Sequence, residues 1–166
     1  YPMICFNFGR PNLDGSYSDD VKFGMIGVIV HEIGHNWFPM IVNNDERQWA
    51  WMDEGINTFV QYITEQKLGK DFPEIIYPLE NFPSDRGPAE MITRYMSVDQ
   101  NFLAPIMSNP ENVYSLGPNA YGKPATALNI LRETIMGREL FDHAFKIYSN
   151  RWKFKHPLSL IHISEP

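Results

Sequence analysis

The feature that most constrains this chain is an apolar run without proline, residues 20–30, that leads directly into an H-E-x-x-H pattern at residues 31–35. Ser18 can cap a helix here, and the two aspartates after it favour the positive end of the helix dipole. Pro39 gives a stop, so the pattern predicts a helix of about twenty residues. Residues four apart share a helix face, roughly 6 Å apart along the axis, so His31 and His35 can hold one cation.

An acidic residue, Glu54, follows His35 after eighteen intervening residues and precedes a second helical pattern, residues 55–68, which we expect to end at Gly69. Asp53 or an earlier residue is expected to cap this helix. Two imidazoles and one carboxylate suit zinc and leave a fourth position for water, which is typical of a catalytic site. Zinc lowers the pKa of bound water to about 7, and Glu32 can take its proton as general base.

The H-E-x-x-H pattern alone also occurs by chance on ordinary helices, where the histidines are half-buried surface residues. Three further features favour a metal site: the apolar helix before the pattern, the spacing of the third acidic residue, and the helix after it. The sequence therefore predicts one zinc ion per chain, held by His31, His35 and Glu54.

The H-E-x-x-H pattern, the eighteen-residue gap and the following Trp51-x-x-Glu54-Gly55 resemble the signature of the M1 (gluzincin) metallopeptidases, the aminopeptidase N and leukotriene A4 hydrolase group. Thermolysin-type proteases share these ligands but have a slightly longer gap. The resemblance implies a mainly α fold, the helical part of a thermolysin-like catalytic domain, with at most a short N-terminal strand. It also implies His31, His35 and Glu54 as zinc ligands and Glu32 as the base.

The resemblance assigns a role to Tyr121 as well, in the segment Tyr121-Gly122-Lys123-Pro124. M1 enzymes have a Tyr-x-Lys-Gly segment at a helix start, whose tyrosine hydroxyl can donate to the oxyanion that forms on the peptide carbonyl. Pro124 replaces the glycine here, and proline is compatible with a first helical turn. Tyr121 is therefore expected to be the second catalytic residue.

The chain departs from the family at two places. Many M1 members have a glutamate seven residues after the ligand glutamate, where this chain has Gln61; its amide oxygen can still orient a ligating histidine. The glutamate that binds a substrate's free amino group would precede Tyr1. The expected reaction is removal of N-terminal amino acids from a peptide substrate. A zinc endopeptidase or epoxide hydrolase on the same scaffold, and a non-catalytic peptide-binding fragment, remain alternatives.

Length and charge limit the other classes of function. With 166 residues the chain is long enough for one domain with a core, and a net charge of -6 without a basic stripe argues against a nucleic-acid partner. No apolar run is long enough to span a membrane. The single cysteine leaves exported and cytoplasmic locations both open.

We expect a partial catalytic domain at residues 1–157, a truncated or non-native tail at 158–166, and flanking domains of the parent chain that are missing here.

Overall fold

The computed structural model describes residues 9–75 and 96–157. Over these ranges the chain is mainly α-helical, as the resemblance implied, and the expected N-terminal strand and tail lie outside the described residues. Four α-helices are present in the described part: α1 Asp19–His35, α2 Ile56–Asp71, α3 Lys123–Ile130 and α4 Arg138–Trp152. Wider π-helical turns form at Asn36–Ile41, Trp51–Gly55, Pro118–Gly122 and Leu131–Ile135, and 3-10 turns at Pro73–Ile75, Gln100–Phe102 and Pro110–Asn112.

Helix α1 begins where its capping chemistry predicts. The Ser18 hydroxyl accepts a hydrogen bond from the Val21 amide at 3.4 Å, with both aspartates in the first turn. Regular α-helix ends at His35 after 17 residues, somewhat earlier than predicted. Phe38 then adopts an extended conformation (φ -121°, ψ 107°) directly before Pro39, because the proline ring disfavours helical geometry in the preceding residue.

Helix α2 differs from its prediction at both ends. It continues to Asp71 rather than stopping at Gly69, and the Phe72 amide donates to the Leu68 carbonyl at 2.6 Å. Among the described glycines, positive φ occurs at positions 9, 15 and 137, so Gly69 lacks the left-handed conformation that ends a helix. The expected cap by Asp53 is also wrong, because the chain is already helical from Ala50 onward and no side chain caps α2.

The core forms where α2 meets the segments on either side of it. One buried cluster contains Phe38, Val42, Trp51, Met52 and Ile56. A second cluster contains Phe59, Tyr62, Ala125 and Phe141, and Val60, Leu128 and Phe145 pack against both. Burial of each large apolar side chain contributes roughly 1.5–3 kcal/mol, so the two clusters fix α2 as the central helix. No helix in the described ranges combines the length and apolar character that a bilayer crossing requires.

Helices α1 and α2 approach most closely at Gly34 and Asn57. Asn57 is fully buried, and its Nδ2 donates to the main-chain carbonyl of His31 at 2.8 Å. A Cβ atom at position 34 would overlap Asn57 Oδ1, so the absence of a side chain allows this contact. The glycine inside the H-E-x-x-H pattern therefore sets the distance between the helix of the histidines and the helix that follows Glu54.

Substituting Gly34→Ala should separate these helices and destabilise the fold by about 1–3 kcal/mol, the usual cost of overpacking a filled interior. Denaturant unfolding of the purified chain measures the effect. Gly117→Ala is the matched control, because Gly117 has helical angles (φ -55°, ψ -61°) and no atom within 4 Å of the added Cβ. Equal unfolding midpoints for the two variants would show that the close approach is not a packing constraint.

Candidate metal centre

The Glu54 carboxylate lies between the two histidines of α1. Its Oε2 is 3.0 Å from His31 Nε2 and 3.4 Å from His35 Nε2, and the imidazole rings meet edge to face with centroids 4.6 Å apart. These separations fit zinc, since a tetrahedral ion with bonds of about 2.0–2.1 Å holds its ligands roughly 3.3 Å apart. The structure thus brings together the three residues that the sequence predicted as ligands, from two segments eighteen residues apart.

Each histidine also has a hydrogen-bond acceptor on its other ring nitrogen. His31 Nδ1 lies 2.9 Å from Gln61 Oε1, which is the contact that the sequence allowed for this glutamine. His35 Nδ1 lies 2.9 Å from the Phe38 carbonyl oxygen. An acceptor at Nδ1 holds the ring proton there and orients the Nε2 lone pair, so both rings are prepared to bind a metal through Nε2.

Asp53 is a member of the site that the sequence analysis missed. It is buried, with 7 % of its surface exposed, and its Oδ1 lies 3.1 Å from His35 Nδ1. An aspartate before a helical pattern resembles a capping residue, and that local signal led to the wrong assignment. Its position directly before the predicted ligand Glu54 was the signal that could have identified it, because consecutive residues of a helical turn can reach the two sides of one imidazole.

Tyr121 and Glu32 complete the surroundings of the three predicted ligands. The Tyr121 ring stacks on the His31 ring with centroids 5.9 Å apart, and its hydroxyl hydrogen-bonds to Glu54. Glu32 is half-buried on α1, and a carboxylate oxygen of Glu32 lies within 4.8 Å of a ring nitrogen of both histidines. The structure therefore gathers all five residues of the predicted site around one point.

Gly55, at the end of the turn that carries Glu54, allows the Tyr121 segment to approach. A Cβ atom at Gly55 would overlap the Pro124 ring and would lie 2.7 Å from the Ala120 carbonyl oxygen. Pro124 occupies the first turn of α3, as predicted, and the π-helical turn before it carries Tyr121. Packing of this turn on Gly55 brings the Tyr121 hydroxyl to the Glu54 carboxylate.

Burial and hydrogen bonding shift the pKa values of the site in opposite directions. Burial opposes protonation of His35, but hydrogen bonds to Asp53, Glu54 and the Phe38 carbonyl outweigh it and raise its pKa to about 10. Burial alone would raise the pKa of Glu54, yet hydrogen bonds from His31, His35 and Tyr121 lower it to about 2. Burial, followed by repulsion from Glu54, raises the pKa of the Tyr121 phenol, which therefore stays protonated.

A family model of the peptidase family M1 domain matches residues 13–159. The chain belongs to peptidase family M1. The match includes the H-E-x-x-H pattern, Glu54 and Tyr121, so the residues that meet in the structure all lie within the shared domain. No solved structure gives a significant match.

Among curated M1-type relatives, a leucine aminopeptidase 2-1 of Meyerozyma guilliermondii is 30% identical over 139 residues, which is 78% of this chain and 21% of that protein. A probable aminopeptidase 1 of Sulfurisphaera tokodaii is 26% identical over 91% of this chain and 19% of its own length. Human aminopeptidase N is 24% identical over 87% of this chain and 15% of its own length. The chain therefore spans about a fifth or less of the length of these three relatives.

The shifted pKa of His35 predicts a pH-dependent metal affinity for this M1 domain. Zinc binds neutral imidazole, whereas His35 in the metal-free site holds its proton up to about pH 10. Zinc binding must displace that proton, so the affinity should rise with pH, by up to about tenfold per pH unit. Zinc titrations at several pH values between 6.5 and 10 measure this slope.

The stability of the metal-free chain should decline at both ends of the pH range. A folded-state pKa of about 10 for His35, above its ordinary 6.5, gives a stability contribution that is complete below pH 6.5 and declines as pH rises toward 10. A pKa of about 2 for Glu54, below its ordinary 4.5, gives a contribution that is complete above pH 4.5 and declines toward pH 2. A zinc affinity independent of pH would contradict the raised pKa of His35 on which both predictions depend.

Proposed function

We propose that the chain is the zinc-binding part of an aminopeptidase, which removes N-terminal amino acids from peptides with one Zn²⁺ held by His31, His35 and Glu54. The supporting observation is the convergence of Glu54 Oε2 on the Nε2 atoms of both histidines, at 3.0 and 3.4 Å. Three protein ligands of this kind leave a fourth position for water, which separates catalytic zinc sites from structural ones. When bound, zinc would supply Lewis acidity and a water of lowered pKa.

Glu32 acts as the general base in this proposal. It lies next to His31 on α1 and is half-buried, so its carboxylate is close to the metal position without being required as a ligand. It takes a proton from the attacking water and returns it to the nitrogen of the leaving amine. The carbonyl carbon of the scissile bond gains the water oxygen and loses the amine, which balances the hydrolysis.

Tyr121 stabilises the negative charge that develops on the carbonyl oxygen. Its phenol remains protonated because burial and the Glu54 charge both raise its pKa, so its O–H group can donate throughout the working pH range. A donor fixed beside the metal position needs little rearrangement as the charge develops. Asp53, Gln61 and the Phe38 carbonyl hold the two imidazoles in place during this step.

The choice of an aminopeptidase among peptidases rests on the relatives, which are named as leucine aminopeptidase, probable aminopeptidase and aminopeptidase N. The group that would bind the free α-amino end of a substrate is expected before Tyr1. Because the relatives are much longer, we propose that domains flanking this one belong to the complete enzyme.

Cleavage of an aminoacyl arylamide by the complete zinc-loaded enzyme that contains this domain tests this function. We expect release of the arylamine, its loss after chelation, and its recovery on addition of one equivalent of zinc. The same substrate with an acetylated amino group should be resistant. Equal cleavage of free and acetylated substrates would indicate an endopeptidase instead. Peptide binding without zinc, combined with no turnover when zinc is bound, would indicate a non-catalytic binding domain.

A further inference from the structure

The Gln61 side chain makes three hydrogen bonds that together connect α1 to a buried carboxylate. Its Oε1 accepts from His31 Nδ1 at 2.9 Å. Its Nε2 donates to the Gly27 carbonyl oxygen at 3.2 Å and to Glu65 Oε1 at 2.8 Å. The carbonyl oxygen and the NH₂ group of this amide therefore both have hydrogen-bond partners, two of them on α1 and one on α2.

These contacts fix which way the amide points. Only the NH₂ group of a glutamine can donate, and the two oxygens of Gly27 and Glu65 lie on one side of it. A flipped amide would set its oxygen against two acceptors and its NH₂ against the Nδ1 proton of His31. The Gln61 oxygen consequently faces His31, which requires the proton on Nδ1 and leaves Nε2 for a metal.

Glu65 is the charged partner in this arrangement. It follows Gln61 by four residues on α2, so the two side chains share one helix face, and only 9% of its surface is exposed. A carboxylate makes a shorter and stronger hydrogen bond than a neutral acceptor, and the bond polarises the amide so that its oxygen becomes a better acceptor. Glu65 can thus strengthen the hydrogen bond that holds His31, through the Gln61 amide and without contacting His31 itself.

We propose that Glu65 is a positioning residue for the metal centre: its carboxylate orients and polarises the Gln61 amide, which holds His31 with Nε2 directed at the zinc. This inference rests on the zinc site of the proposed function. Both histidines would then be supported by an acidic residue. Asp53 contacts His35 directly, and Glu65 acts on His31 through the Gln61 amide.

A double-mutant cycle on the full 166-residue chain tests the role. The zinc dissociation constant is measured by competition with a chromophoric chelator for wild type, Glu65→Gln, Gln61→Glu and the double variant. In the wild-type background, Glu65→Gln should weaken zinc binding about threefold to tenfold, less than the loss of a direct contact to a ligand. Asp71→Asn, which removes the same charge from an exposed position on α2, should change it less than about twofold.

The sign should reverse in the Gln61→Glu background. There position 61 accepts from His31 with a charged oxygen of its own, and the Glu65 carboxylate becomes a repelling neighbour four residues away. Glu65→Gln then removes the repulsion and provides an amide donor, so zinc binding should tighten. A residue that only stabilises the fold would weaken binding in both backgrounds, and that result would overturn the proposal.

The exchange rate of the His31 Nδ1 proton provides a second readout. In the zinc-loaded chain, nuclear magnetic resonance should show faster solvent exchange of this proton in Glu65→Gln than in wild type, because the acceptor Gln61 is held less firmly. An unchanged rate would count against the proposal. Failure of wild type to bind zinc would instead refute the proposed function itself, so the two failures are distinguishable.

Discussion

Replacing Glu54 with glutamine is expected to weaken zinc binding by more than about 100-fold, beyond the cost typical of residues that only support a ligand. The pKa of Glu54 is about 2, so at neutral pH it contributes a full negative charge to the site. Glutamine keeps the shape of the side chain but offers a neutral oxygen, and two imidazoles alone form an incomplete zinc site. Isothermal titration with zinc, together with metal analysis after dialysis, measures the loss.

Glu74→Gln is the matched control for this substitution. Glu74 lies in an exposed 3-10 turn after α2, so its replacement changes the net charge equally without touching the site. Its zinc affinity should equal that of wild type. The circular dichroism of both variants should also equal wild type, because Glu54 is a partly exposed member of a helical turn that the core residues already fix. Retention of wild-type zinc affinity by Glu54→Gln would remove it from the ligand set.

Substituting Glu32→Gln should leave the zinc in place and lower turnover by about 10²–10⁴-fold, the usual contribution of a general base. The amide cannot take a proton from water, while His31, His35 and Glu54 are unchanged. The loss should appear in kcat more than in KM, because the proton transfer occurs in the transition state. The measurement is zinc-dependent aminoacyl arylamide hydrolysis by the complete enzyme with and without this substitution, at matched zinc content.

Zinc analysis of the Glu32→Gln variant separates loss of chemistry from loss of metal. One zinc per chain with strongly reduced turnover supports the role of Glu32 as the base. Unchanged turnover would assign the proton transfer to another group, and loss of the zinc would make Glu32 part of the metal site rather than the base.

Local chemistry in the sequence was sufficient to predict α1 and its start. A hydroxyl before two aspartates, an apolar run without proline and a later proline act over a few residues, and the helix begins at Asp19 as expected. The i, i+4 spacing of His31 and His35 follows from helix geometry once that helix is accepted. Short-range rules therefore account for two of the three predicted ligands.

The approach of Glu54 to those histidines depends on contacts between segments far apart in sequence. Gly34 against Asn57 and Gly55 against Pro124 set the distances in space, and neither contact has a local signature. The motif spacing pointed to Glu54 as a ligand through resemblance to a family. Physical reasoning from the sequence offered Glu54 as a third ligand at the start of a second helix, but it gave no contact that brings this helix to α1.

The error at the site involves an acidic residue whose local pattern fits more than one role. Asp53 resembled a helix cap, but the chain is already helical there and the side chain faces His35 instead. Glu65 received no role from the sequence, and the structure buries it against Gln61. A carboxylate can cap a helix, face solvent or support a predicted metal ligand, and only the tertiary structure distinguishes these roles.

The most direct test of the metal centre is the zinc content of the purified 166-residue chain, determined by native mass spectrometry after incubation with excess zinc and removal of the unbound ion. The convergence of His31, His35 and Glu54 predicts one zinc per chain, and none for Glu54→Gln under the same treatment. A wild-type chain that emerges free of zinc would contradict the assignment of these three residues as its ligands.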